Sequence, residues 1–258
     1  MQIQVKLPKF TGKPLIEIPE TIPVVNFLTG DFGKAVLEEY QARVKADYEN
    51  ARALNVLSYY KGNDVVIGSN PFAVVLINKI VQPEGIRVAT PADLERVIAT
   101  NALPLRGQYE DSALVLRSED NPNEYLAKDL NAQVKAKRGK VNLPVMIPLA
   151  GLELRTDGNS PYGLAFNLGE SAEVIYAPIL NRDGRFNSSD IDLKTGIPKE
   201  LRTEGERGNY SIKSGLSNSI VGRYLDLDSG DWRRNDILGN SSRNGRVVLI
   251  SGEASGAA

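Results

Sequence analysis

Apolar residues recur every three to four positions from Lys34 to about Tyr59. Val36, Leu37, Tyr40, Val44, Tyr48, Ala51 and Leu54 form one stripe, with Glu38, Glu39, Arg43, Lys45, Glu49 and Arg52 between them. That spacing predicts an amphipathic helix, capped by Thr29 or Asp31. Upstream, Pro8, Pro14, Pro19 and Pro23 interrupt any helix, so residues 1–30 read as extended and turn-rich. DVVIG at 64–68 predicts a short strand. FAVVLINKIV at 72–81 is apolar on every side, so periodicity does not separate helix from strand there; Asn70 as a cap with Pro71 behind it favours helix. Thr90, Pro91 and Asp93 form a firmer helix start, with Leu94, Val97 and Ile98 inside. DSALVLRS at 111–118 predicts a strand. A last helix follows Asn121 and Pro122, buries Tyr125, Leu126, Leu130 and Val134, and ends at Lys135, Lys137, Arg138 and Gly139.

Beyond residue 140 the pattern changes. VMIPL from Val145, YGLAFNL from Tyr162 and EVIYAPIL from Glu173 are strand-like runs parted by Gly, Asn, Asp and Ser turns. Helices first and strands second predict an α+β fold rather than alternating βαβ units. In residues 215–250, Leu225 and Leu227 stand at period two, and Val247 to Ile250 form a closing strand. If those leucines point inward, Tyr224, Asp226 and Asp228 share the outer face. Asp231, Trp232, Arg233, Arg234 and Asp236 read as a loop beside them; a lone Trp is ordinarily core, but with no apolar period around Trp232 exposure in a binding loop is at least as well supported as burial. An outward set of Tyr, Asp, Trp and Arg on a fixed framework has the composition of a recognition surface.

Composition narrows the chemistry. The chain of 258 residues has no Cys and no His, which removes disulfides, thiolate and imidazole catalysis and His- or Cys-ligated zinc. Lys and Arg number 31 against 32 Asp and Glu, so no net field favours nucleic acid. No apolar run approaches the roughly 20 residues of a membrane span, and MQIQVKLPKF lacks a signal-peptide core. NRDGRFNSSDID at 181–192 and DLDSGD at 226–231 miss the calcium-loop register, and the glycines form no nucleotide fingerprint, so no metal or cofactor is implied.

A set of segments stands out in order along the chain: SNPFAVVL from Ser69, TPADLE from Thr90, LVLR ending at Arg117, YLAKDL from Tyr125, residues 163–181 (GLAFNLGESAEVIYAPILN) and SDIDLKTG at 189–196. The C-terminal pattern of Gly215, Leu216, Ser217, Arg223, Leu225, Leu227 and Ser229, then GRVVLI from Gly245, completes the set. Together they resemble the variable proteins of archaeal and related bacterial diversity-generating retroelements. The resemblance covers most of 64–250. Ser219 and Val221 depart from the family's usual Leu pair, and 233–238 does not align cleanly. The resemblance implies a C-type-lectin-like mixed fold with an N-terminal helical segment. Its framework would be Gly215, Leu216, Ser217, Arg223, Leu225, Leu227, Ser229, Ser241, Gly245 and Arg246. Positions diversified through error-prone reverse transcription would be Asn218, Ile220, Gly222, Tyr224, Asp226, Asp228 and Gly230, then Asp231, Trp232, Asp236, Asn240, Arg243 and Asn244.

The expectation is therefore a non-catalytic, receptor-type protein that binds an unknown ligand, a protein or a surface glycan, through a hypervariable surface, with no nucleic-acid partner and no membrane insertion. Its organisation would be an N-terminal extended segment and long helix at 1–63, the lectin-like domain at 64–250, and a flexible tail at 251–258. The stripe of the long helix fits packing on the domain or a homodimer contact. The product would be cytoplasmic or virion-associated. Two alternatives stand beside this reading: a His-free carboxylate glycosidase using Asp226 or Asp228, and a structural virion or surface protein using residues 218–244 as a fixed contact.

Overall fold

The computed structural model describes residues 24–103, 107–211 and 219–251. The proline-rich stretch before residue 24, the framework residues Gly215, Leu216 and Ser217, the variable position Asn218 and the tail beyond Ser251 lie outside them. The fold is mixed α+β, with four α-helices among the described residues and a curled, half-barrel sheet. All four helices, α1 (Gly30–Asp47), α2 (Pro71–Val81), α3 (Pro91–Thr100) and α4 (Glu124–Arg138), precede the strand-rich half.

The ambiguous apolar run is a helix, and two asparagines, Asn70 at its cap and Asn78 within it, explain why. Asn70 accepts a hydrogen bond from the Ala73 amide at 2.8 Å, while its amide nitrogen donates to Ala53 and Gly239 carbonyls. Asn78, buried within α2, donates to the Ala150 carbonyl and accepts from the Val88 amide. With those groups satisfied, the helix buries nearly its whole circumference. Phe72 stacks on Phe166 with ring centroids 4.7 Å apart. Thr90 and Asp93 form the expected capping box of α3. α1 ends at Asp47, earlier than the periodicity predicts; Ala51 and Leu54 are buried from a following short turn, where the Leu54 carbonyl accepts the Tyr40 hydroxyl at 2.7 Å. The stripe of α1 is buried in the same core as α2 and α4, so that core runs across position 63 and the stripe is not free for a dimer contact.

The main sheet runs in the order 184–186, 207–209, 231–235, 220–226, 109–116, 145–148, 175–176, with 245–246 beside 109–110. Of EVIYAPIL only Ile175–Tyr176 is strand, because Pro178 opens a helical turn. A second sheet sets Val24–Phe27 and Ile86–Val88 on either side of Val248–Ser251. GRVVLI thus crosses from one sheet to the other within six residues. Gly245 is fitted to that crossing: a Cβ there would lie 2.5 Å from the Ser69 amide nitrogen.

Candidate functional site

The expected loop after Gly230 is a strand. Asp231–Asn235 pairs antiparallel with Ile220–Asp226, with Leu225 opposite Trp232 and Tyr224 opposite Arg233. The hairpin turns through Leu227–Gly230. Gly230 has φ +68°, and a Cβ on it would lie 3.0 Å from Arg207 Nε, so the turn requires glycine. This pairing corrects the reading of Trp232. Its side chain is 0% exposed, facing inward beside Leu225 and Leu227. Its indole N–H donates to Glu95 Oε1 at 2.5 Å, and the Arg223 guanidinium lies 4.4 Å over its ring.

Four other expected variable positions are also buried. Ile220 joins the main core, on a sheet face covered by Pro71 and Leu238. Gly222 lies under the same cover; a Cβ there would sit 3.2 Å from Pro71 Cγ. Gly230 is confined by the turn. The Asp231 carboxylate accepts the Gly208 amide at 2.6 Å and is 7% exposed. Burial on both faces of the 220–226 strand therefore extends to Arg223, and alternation begins at Tyr224.

From Tyr224 outward a partly exposed polar face forms. Tyr224 packs edge-on against Tyr109, with centroids 5.4 Å apart. Asp226 accepts the Asp228 amide at 3.2 Å and lies 3.2 Å from Arg233 Nε. Arg233 in turn stacks over the exposed Tyr210 at 5.6 Å. Asp228 stands exposed at the hairpin tip; Asp236 is paired with Arg234. Asn240, Arg243 and Asn244 are exposed on the next loop. That loop and residues 55–58 and 67–68 flank an open groove of about 420 Å³, lined in part by Asn240, Ser241 and Arg243. The rim is tied down: Ser69 N donates to Ser241 Oγ at 2.9 Å, and the Tyr109 hydroxyl accepts the Ser242 amide at 2.9 Å.

Below the tyrosines lies Asp111, which the sequence pattern did not single out. It is opposite Tyr224 in the sheet and 1% exposed. One oxygen accepts the Ser69 hydroxyl at 2.7 Å; the other has no partner. Burial pushes this carboxyl up to about 7, against the pull of the Ser69 hydrogen bond. Its neighbour Glu110 points to the opposite face, is fully buried, and is pushed well above the usual range by burial, against the pull of the Val248 backbone. The available signal was two consecutive acids, Glu110 and Asp111, at the head of an otherwise apolar strand. Burial also raises the Tyr224 hydroxyl, opposed by Arg233.

This face offers aromatic planes, two ion pairs and a floor carboxyl, with Asp226 engaged by the turn and by Arg233. No group of three or more acidic residues suited to a metal ion occurs among the described residues. In comparison with known proteins, the chain matches no family model, no curated relative and no solved structure at a significant level.

Proposed function

We propose that this chain is a non-catalytic recognition protein, a C-type-lectin-like scaffold of the retroelement variable-protein kind, which binds a protein or surface glycan through its C-terminal face. The observation that carries the reading is the division at Tyr224–Asp228: Leu225 and Leu227 are buried, while Tyr224, Asp226 and Asp228 reach the surface on one hairpin. Asn240, Arg243 and Asn244 extend that surface to the groove. Side chains that leave the core undetermined can be exchanged at little cost in stability. The variable set is therefore Tyr224, Asp226, Asp228, Asn240, Arg243 and Asn244, with Asp236 at its edge. Ile220, Gly222, Gly230, Asp231 and Trp232 belong to the framework. Tyr224 and Arg233 are the anchors, since Tyr and Arg dominate binding hot spots. No helix among the described residues is long and apolar enough to cross a membrane; residence in a cell or on a virion is part of the proposal.

A displayed library randomised at codons 224, 226, 228, 240, 243 and 244 tests this. Most members should resist protease like the parent, and selection on unrelated protein and glycan targets should recover different members. If randomising these codons unfolds the chain as often as randomising 225, 227 and 232 does, the reading is wrong.

A further inference from the structure

On the sheet face opposite Tyr224, Arg223 lies within electrostatic reach of Arg117; Glu95 attracts Arg223, and Asp183 and Asp236 attract Arg117, only from beyond salt-bridge distance. Arg223 is 1% exposed. Its Nη1 donates only to neutral acceptors, Asn209 Oδ1 at 2.9 Å and Ser211 Oγ at 3.3 Å, and its Nε and Nη2 have no partner. Arg117, part-buried at the end of the neighbouring strand, donates Nε to the Leu180 carbonyl at 3.0 Å, and its Nη1 has no partner. Among the described residues neither guanidinium has a carboxylate within 4.0 Å. The nearest acids are engaged elsewhere: Glu95 is held bidentately by Arg207 at 2.6 and 2.8 Å, Asp236 by Arg234, and Asp183 accepts the Ser211 amide at 2.6 Å.

A buried charge is ordinarily paired or saturated with hydrogen bonds, because desolvation is otherwise uncompensated. A guanidinium cannot escape by losing its proton at neutral pH. Burial pushes Arg223 down to about 9 and Arg117 down to about 10, so both remain charged at pH 7. The surrounding polar groups are fixed: Asn209 Nδ2 donates to the Arg182 carbonyl at 3.1 Å and Ser211 Oγ to Asn209 Oδ1 at 3.1 Å, which prevents them from turning toward the free N–H groups. Arg182 and Asp183 are exposed, so the cluster borders solvent on the Arg117 side.

We propose that Arg223 and Arg117 form a binding site for a small free oxyanion of the sulfate, phosphate or carboxylate type, entering beside Arg117. Three donor nitrogens on two cations, Arg223 Nε and Nη2 and Arg117 Nη1, match the several acceptor oxygens of such an ion. The site is separate from the Tyr224 face and stands whether or not that face binds a ligand.

The test is the melting temperature of the full chain titrated with sodium sulfate, phosphate or acetate at pH 7, with ionic strength held constant by sodium chloride. The wild type should show a rise with at least one oxyanion that sets in near its dissociation constant and then grows logarithmically with concentration. Arg223→Met, which keeps an apolar chain beside Trp232, should lose it. Arg117→Met should move the onset to about tenfold higher concentration, the loss of one charge-assisted hydrogen bond; it also serves as the decisive variant should Arg223→Met fail to fold. No rise beyond that of sodium chloride at the same ionic strength, or equal rises in wild type and Arg117→Met, overturns the proposal.

Discussion

Trp232 shows how one residue depends on partners far away in sequence. Its neighbours Gly230, Asp231, Arg233 and Arg234 carry no apolar period, and nothing near it announces burial. The indole is drawn inward by Glu95 on α3, which also holds Arg207, itself packed over Phe186 at 4.9 Å. Neutralising Glu95 by Glu95→Gln leaves Arg207 buried beside an amide and should cost about 3–5 kcal/mol in chemical denaturation. Trp232→Ala should cost a similar ~3–5 kcal/mol; a melting temperature unchanged by Trp232→Ala would place the ring at the surface. Asp111 sets a pH dependence. Its folded-state value is raised from 3.8 to about 7. Its stabilising contribution is therefore complete below about pH 4 and is lost as pH rises toward and through 7, each pH step of one in that window removing about 1.4 kcal/mol. The chain has no His, so a fall in melting temperature between pH 5 and 8 traces to buried carboxyls. Asp111→Asn should reduce the fall, with Glu110 supplying what remains, and an unaltered slope in that variant would assign the effect elsewhere.

Among the elements, caps settled α2 and α3, whereas α1 and α4, which have no side-chain cap bond, were legible from their apolar period. Asn70–Pro71 and Thr90–Pro91–Asp93 mark α2 and α3 because cap chemistry is local. The period-two leucines were legible too: Leu225 and Leu227 are buried, and replacing either by Ala should cost about 2–5 kcal/mol, against a change within about 0.5 kcal/mol for Asp228→Ala. Denaturation midpoints of the three variants check this. The 231–235 strand was hidden because its pairing partner, not its own pattern, supplies its order. Ile220 and Gly222 failed as surface positions for a related reason. Alternation assigns a side chain to a face, but only the placement of Pro71 and Leu238 decides that this face is covered there and open from Tyr224 onward.

At the scale of the molecule, the segment that carries the candidate surface is clamped at both ends. The 220–235 hairpin sits within the main sheet, and Val248–Ser251 is held between Val24–Phe27 and Ile86–Val88. Strands more than two hundred residues apart in sequence, Val24–Phe27 and Val248–Ser251, therefore pair, which leaves the hairpin tip and the 240–244 loop as outward features on a fixed frame. The helix-then-strand order was readable from the sequence, whereas the groove was not, since it joins residues 55–58 to 239–243. That frame makes a sharp claim about which codons can change together. Tyr224→Ala should abolish ligand binding in a selected binder and leave melting nearly unaltered. Deep sequencing of this gene across its natural population tests the account most directly. Substitutions should gather at codons 224, 226, 228, 240, 243 and 244 and spare 222, 225, 227, 230, 232 and 245; substitutions spread evenly along the gene, or frequent at those spared codons, would contradict it.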